Sequence, residues 1–339
     1  MHVPLAGRLG CRGHSRAGSI RRLALAGGAA LLLAATAGTA VAGPLTAGPP
    51  GGGVSTIVVA PSKRSTLYVS TDGSLFRTRD GGRRWALVPQ GLRTPLVLLA
   101  VHPTRPSWVY GIAGRSEAGR QLVVSRDSGL HWRRLGRLHV PGVDPGSLAI
   151  DPRRPRVLYA NVEGAVYRSA DGGRRWRRIG PAGELAFDSR GALVLGSKGL
   201  YRSTDHGRTW RRIRAGLRFV DTLIADPRRP GTLFARVDGG RAPGIRRSRD
   251  LGRRWTTVAR GDFDALVMDP RAPSTLYATT QTTDQRRTHL WRTTDGGRRW
   301  RTADRGIDLG FALGPVALGP GRPARVYLST GGFTEGGRR

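Results

Sequence analysis

The sequence predicts an all-β chain, a β-propeller of four-stranded antiparallel blades, on three observations. An eight-residue motif recurs six times after residue 54. A second, proline-containing motif alternates with it. Between them lie short apolar or β-branched runs, broken too often by Gly and Pro for long helices. A lone four-stranded unit cannot bury both faces of its sheet, so units repeating every roughly 40 to 50 residues must cover one another radially.

The first motif reads TRDGGRRW at 78–85, SRDSGLHW at 125–132, SADGGRRW at 169–176, STDHGRTW at 203–210, SRDLGRRW at 248–255 and TTDGGRRW at 293–300. Its aspartates, Asp80, Asp127, Asp171, Asp205, Asp250 and Asp295, stand 47, 44, 34, 45 and 45 residues apart. A tight hairpin needs a residue that tolerates positive φ, which the shared glycine supplies. The aspartate, two positions after Ser or Thr, is placed to accept hydrogen bonds from the turn's own amides. The closing tryptophans, Trp85, Trp132, Trp176, Trp210, Trp255 and Trp300, are expected to insert between neighbouring sheets. Six symmetry-related copies cannot share one substrate, so these residues are expected to be scaffold.

The second motif is DPRRPRVLYA from Asp151, DPRRPGTLFA from Asp226 and DPRAPSTLYA from Asp269, with weaker copies from Ala60, His102 and Gly319. The copy at Asp188 lacks both prolines and falls in the shortest interval. Each unit therefore reads as an apolar strand A, the DPRRP turn, an LYA-type strand B, a Gly-containing loop, strand C, the Asp motif and a Trp-led strand D. A partial seventh unit, VALGP and RVYLST followed by TEGGRR without its Trp, predicts seven blades with an incomplete last one. Six blades with a C-terminal extension are the alternative.

Residues 1–42 read as an export signal. Arg8, Arg12, Arg16, Arg21 and Arg22, with no acid among them, precede an apolar run from Leu23 that ends in Ala40-Val41-Ala42. An uncleaved anchor is the alternative, because about 20 apolar residues can span a bilayer. Residues 43–53 are a Pro/Gly linker, and 54–339 form the repeat propeller. The propeller is thus expected outside the cytoplasmic membrane, secreted or held at the envelope.

The 339 residues carry 57 Lys+Arg against 23 Asp+Glu, a net charge of +34, so anionic partners come first to mind. The single cysteine, Cys11, excludes an intrachain disulfide framework and a Cys-based metal site. The seven histidines show no metal-ligand spacing, and the GG pairs are hairpin turns with no helix after them. No cofactor or metal is expected. Nor is nucleic acid, given export and few loop aromatics.

At the S/T-x-D-x-G-x-x-W hairpins, over about residues 54–333, the chain resembles the Asp-box, or bacterial neuraminidase repeat (BNR), superfamily. That superfamily includes sialidases, xyloglucan-cleaving glucanases, sortilin-type receptors and the photosystem II assembly factor. The resemblance implies the propeller fold; it does not imply one activity. A sialidase uses a tyrosine nucleophile, whereas Tyr68, Tyr110, Tyr159, Tyr167, Tyr201, Tyr277 and Tyr327 all fall in expected B or C strands. The Arg-Ile-Pro opening of sialidases is also missing.

With strands ordered A to D from hub to rim, the A–B and C–D turns share one face. That face collects Arg83, Arg84, Arg153, Arg154, Arg174, Arg175, Arg228, Arg229, Arg253, Arg254, Arg298 and Arg299, an expected basic ring able to dock an anionic surface. The other face receives the B–C and D–A loops. There Glu117, Asp144, Glu163, Glu184, Asp221, Asp238, Asp262, Asp264, Asp284, Asp304 and Asp308 are the acids left after the scaffold positions. Glycoside hydrolysis needs two carboxyls about 5 to 9.5 Å apart. Asp262 with Asp264 is the best pair by proximity, and Glu117 is a third catalytic candidate. The longest insertions, 111–121 and 279–288, are the expected seat of specificity. The chain is therefore expected to be an exported, non-catalytic scaffold that docks a protein partner or an anionic envelope component. A glycoside hydrolase is the alternative.

Overall fold

The computed structural model describes residues 31–36, 49, 54–71, 74–89, 96–114, 121–136, 145–162, 165–181, 183–196, 199–213, 216–217, 219–238, 242–282, 287–304, 316–319, 321 and 324–330. Strand β1 is Leu31–Thr36. The first blade follows as β2 (Val54–Val59), β3 (Leu67–Thr71), β4 (Leu75–Thr78) and β5 (Ala86–Val88), and the second as β6 (Leu96–Val101), β7 (Val109–Ala113), β8 (Gln121–Ser125) and β9 (Arg133–Arg134). The third is β10 (Pro145–Ile150), β11 (Leu158–Val162), β12 (Ala165–Ser169) and β13 (Arg177–Pro181). The fourth is β14 (Glu184–Phe187), β15 (Leu193–Gly196), β16 (Leu200–Ser203) and β17 (Arg211–Ile213). The fifth is β18 (Val220–Ala225), β19 (Leu233–Val237), β20 (Gly244–Ser248) and β21 (Thr256–Arg260). The sixth is β22 (Ala265–Met268), β23 (Leu276–Thr282), β24 (Arg287–Thr293) and β25 (Arg301–Thr302), and β26 (Val316–Leu318) and β27 (Arg325–Thr330) end the chain.

Each blade is an antiparallel meander in sequence order. The first strands β2 and β6, β6 and β10, β14 and β18, and β18 and β22 adjoin, which places strand A at the hub. The B strands lie deepest, β3 and β7 being buried along their whole length. The D strands form the rim, where Arg133 and Arg134 of β9, Arg177 and Arg178 of β13 and Arg211 and Arg212 of β17 are exposed. Charged, short edge strands of this kind resist pairing with another chain.

Among the described residues six complete four-stranded blades are present, the count of the six-bladed alternative. The C-terminal extension does not hang free. It supplies β26 and β27 to a three-stranded sheet ordered β1-β27-β26, and β26 adjoins both β22 of the sixth blade and β2 of the first. One side packs Leu318, Val326 and Leu328 against Tyr277 and Leu290, and the other packs Ala317 and Tyr327 against Val54 and Phe76. Arg64 crosses this junction, donating to the Leu318 carbonyl at 2.9 Å and standing 3.5 Å from the Asp269 carboxylate.

The third strand of that sheet, β1, lies within the apolar run read as an export signal, and Leu31–Thr36 pairs with Arg325–Thr330. The flanking residues 1–30 and 37–48, with Ala40-Val41-Ala42 among them, lie outside the described residues. The insertion expected at 279–288 is not a free loop on its described part. Thr279 to Thr282 extend β23 and Arg287 and Thr288 extend β24, paired in register as far as Thr282 with Arg287.

Candidate functional site

The six Asp motifs fold alike, for reasons local to the sequence. In each, the Ser or Thr hydroxyl donates to the aspartate Oδ1, as from Thr78 to Asp80 at 2.7 Å and from Ser248 to Asp250 at 2.8 Å. The same hydroxyl accepts the amide of the glycine four residues on, such as Gly82 at 2.9 Å. Oδ1 accepts amides further along the turn, those of Arg83 and Arg84 at 3.0 Å for Asp80 and those of Arg298 and Arg299 at 2.8 and 3.0 Å for Asp295. Asp127, Asp171, Asp205 and Asp250 repeat the arrangement through His131, Arg175, Thr209 and Arg254. The turn takes two successive left-handed residues, the second always the shared glycine, with φ of 88° at Gly297. Where the repeat has only that one glycine, Ser128, His206 and Leu251 accept φ of 68°, 59° and 59°.

The donated bonds hold these carboxyls below the ordinary aspartate range. The leading cause is the Arg84 amide at Asp80, the His131 amide at Asp127, the Thr209 hydroxyl at Asp205 and the Arg299 amide at Asp295. At Asp171 and Asp250 burial pushes upward, but the bonds outweigh it. A carboxyl lowered by folding contributes stability that is present above its unfolded pKa of about 3.9 and lost as pH falls through the folded value. Urea midpoints are therefore expected to fall between pH 5 and pH 2. Asp80→Asn should shrink that fall, since an amide does not titrate; an identical fall in the variant would refute the linkage.

The tryptophans wedge between blades and are half-buried. Trp132 packs on a cluster containing Leu75 and Val88 of the first blade, and Trp300 on one containing Phe234 and Ile245 of the fifth. A second inter-blade device was not legible as such in the sequence. The B-strand tyrosines reach across the cleft, Tyr68 donating to the Pro106 carbonyl at 2.8 Å, Tyr159 to that of His206 at 3.2 Å and Tyr327 to that of Gly81 at 2.7 Å. The recurrence of Tyr in LYA was the available signal.

All twelve arginines of the expected ring are exposed, and the turns bearing them share the Asp-motif face. The A–B turns are pinned as the C–D turns are: Asp151 accepts the amides of Arg153 and Arg154 at 2.9 and 3.1 Å, and Asp226 those of Arg228 and Arg229 at 2.8 and 3.0 Å. Backbone amides are consumed and guanidiniums point outward. Arg153 differs, because its guanidinium donates to the Ser189 carbonyl of the next blade.

On the opposite face, Asp262 and Asp264 are both exposed and precede β22. They belong to a larger group. Arg236 of β19 pairs with Asp221, donates to the Phe263 carbonyl, and feels Asp238, Asp264 and Glu184. The Glu184 carboxyl is pushed up by burial, against the pull of Arg236. That of Asp264 is pushed up by desolvation first, against Arg236, with Asp238 and Asp262 adding repulsion. Glu117, Asp144, Glu163, Asp284 and Asp308 lie outside the described residues. Asp304 is drawn elsewhere, its Oδ2 lying 2.9 Å from His289 Nδ1. Arg236 was missed, though it breaks the repeat where Ser70, Asn161 and Thr279 stand in other B strands. Among the described residues no group of three or more His, Cys, Asp or Glu is placed to hold a metal ion, and no helix is long and apolar enough to cross a membrane.

Radial four-stranded blades clasped by S/T-x-D-x-G-x-x-W hairpins define an Asp-box β-propeller. The BNR/Asp-box repeat family matches residues 201–212, which contain the fourth Asp motif. No curated protein matches the sequence. Among solved structures, the chain is similar to the GH74 xyloglucanase from Xanthomonas campestris, with a TM-score of 0.63 and 20% identity over 82% of this chain and 51% of that one. It thus spans about half the length of that enzyme. It is also similar to YCF48 bound to D1 peptide, with a TM-score of 0.56 and 16% identity over 82% and 91% of the two chains. YCF48 from Cyanidioschyzon merolae gives a TM-score of 0.55 at 13% identity, over 82% and 95%. At these identities the likeness speaks for the fold.

Proposed function

We propose that this protein is an exported, non-catalytic binding and assembly scaffold, whose Asp-motif face docks a protein partner or an anionic component of the cell envelope. The observation that carries this reading is the ring of twelve exposed arginines, set by the turn geometry on one face. Near an anionic surface each such charge adds about 1 kcal/mol, screened by salt. The YCF48 structure with a bound D1 peptide supports a protein partner for a propeller of this shape. Removal of the signal after Ala42 would take β1 away and leave β26 and β27 as the closing pair.

The test is cosedimentation of the full chain with isolated envelope at low and high salt, before and after protease treatment of the envelope. Salt-sensitive binding is expected, weakened several-fold in Arg253→Gln/Arg254→Gln/Arg298→Gln/Arg299→Gln. Binding lost with protease identifies a protein partner. Absent or salt-insensitive binding overturns the reading.

A glycoside hydrolase is the second reading, favoured by the raised carboxyls of Glu184 and Asp264 beside Asp262, since perturbed acids gather at catalytic sites. A sialidase and glucanase substrate panel decides. No turnover is expected; turnover abolished by Asp262→Ala, Asp264→Ala or Glu117→Ala would reverse the ranking.

A further inference from the structure

The second blade departs from the repeat at three positions that line one cleft. Where four blades open the A–B turn with Asp151, Asp188, Asp226 or Asp269, this blade has His102. Its Nδ1 does the same work, accepting the amides of Thr104 at 3.3 Å and Arg105 at 3.2 Å. Burial, with Arg105 nearby, pushes its pKa down, so a neutral acceptor replaces a carboxylate. Where other B strands are preceded by or begin beside Thr66, Val157, Thr232 or Thr275, this one has Trp108. Where other C strands carry Arg77, Arg168, Arg202, Arg247 or Arg292, this one has Val124.

His102, Trp108 and Val124 all line a cavity of about 480 Å³ between the second and third blades, on the Asp-motif face. Arg105, Arg126, Arg133, Arg134, Arg156 and Arg174 surround it. Among the described residues the one carboxylate in its wall is Asp171, whose Oδ1 already accepts the Ser169 hydroxyl and the amides of Arg174 and Arg175. Guanidinium carbons of Arg105 and Arg126 lie 4.5 and 4.4 Å from the Trp108 ring centroid, and the His102 ring meets that indole edge-on at 5.2 Å. Stacking on an aromatic ring orients a guanidinium and leaves its in-plane N–H fork free, the geometry that grips a phosphate through two parallel bonds. The like charges crowd one another: Arg126 is held below its ordinary range by desolvation and then by Arg133, with Tyr110 opposing and Arg105 and Arg174 adding to it.

From these departures we infer that the cleft between the second and third blades is a binding site for a phosphate group, gripped by Arg105 and Arg126 stacked on Trp108. A free polyphosphate or the headgroup of an anionic lipid carries that chemistry. The site does not depend on the docking role of the whole ring, because it rests on a local break in the repeat.

The experiment titrates the full chain with inorganic tripolyphosphate at fixed ionic strength, by calorimetry and tryptophan fluorescence, and measures binding to phosphatidylglycerol and phosphatidylcholine vesicles. Saturable tripolyphosphate binding is expected, weakened at least tenfold in Arg105→Gln/Arg126→Gln, with thermal midpoints confirming that both proteins are folded. Arg253→Gln/Arg254→Gln removes the same charge elsewhere on the face and should change the affinity less than twofold. Trp108→Phe should remove the fluorescence response and keep a weakened site. If the Arg105/Arg126 variant also loses phosphatidylglycerol vesicles selectively, the source is a headgroup; if vesicle binding is unchanged, it is a soluble phosphate. Equal loss in the two double variants, or no saturable binding to either probe, overturns the inference and leaves the docking role of the ring to its own test.

Discussion

Tyr327→Ala is expected to open the ring, costing roughly 3 to 5 kcal/mol, as for other buried aromatic truncations. The side chain is 1% exposed and packs with Val54, Phe76 and Ala317. Its hydroxyl donates to the Gly81 carbonyl at 2.7 Å, across 246 positions of sequence. Arg325 reaches the same carbonyl at 2.6 Å. Tyr68 makes the equivalent contact to Pro106, but there the chain itself joins the two blades. At the junction between the end of the chain and its first blade, side-chain packing and such bonds hold the wheel beside the β1–β27 pairing. Tyr327→Phe keeps the ring packing and removes only the bond, so about 1 kcal/mol is expected. Urea unfolding together with limited proteolysis separates the cases: Tyr327→Ala should lower the midpoint and expose the segment after residue 304 to cleavage, and Tyr327→Phe should do little of either. An unchanged midpoint for the alanine variant would refute this account of closure.

Gly297→Ala is expected to destabilise the protein by about 2 to 4 kcal/mol, because two costs fall on one atom. The residue holds φ of 88°, where an L side chain is strained, and its added Cβ would stand 2.9 Å from the Cβ of Val258 on the neighbouring blade. A β-branched neighbour cannot swing its own Cβ aside. The same change at Gly172 meets the backbone cost alone, since nothing lies within 4 Å of its would-be Cβ although φ is 74°. The difference between the two denaturation midpoints measures the inter-blade contact; equal losses would show that the turn conformation accounts for all of it.

The Asp hairpins were legible because every bond they make is local. Ser or Thr, Asp, Gly and Trp lie within eight residues, and the hydroxyl–carboxylate–amide pattern closes inside that window. The arginine face was legible for a related reason, since alternating strand direction assigns each turn to a side. The Asp262–Asp264 pair was found, but its setting was not. Arg236 and Glu184 come from blades whose strands begin tens of residues away, and no spacing in the sequence joins them. The role of the tyrosines was hidden likewise: a tyrosine in a strand reads as core until the next blade's carbonyl is seen at its hydroxyl.

By itself the sequence determined the repeat unit, its strand order, the structural employment of six aspartates and the side on which the charge gathers, all consequences of interactions closed within one unit. Only the tertiary structure decided how many complete blades there are, how the last sheet is fastened to the first, and that His102, Trp108 and six arginines meet in one cleft. The physical reason is that a blade's faces are buried by its neighbours, so whatever lies between blades depends on which units the ring brings together.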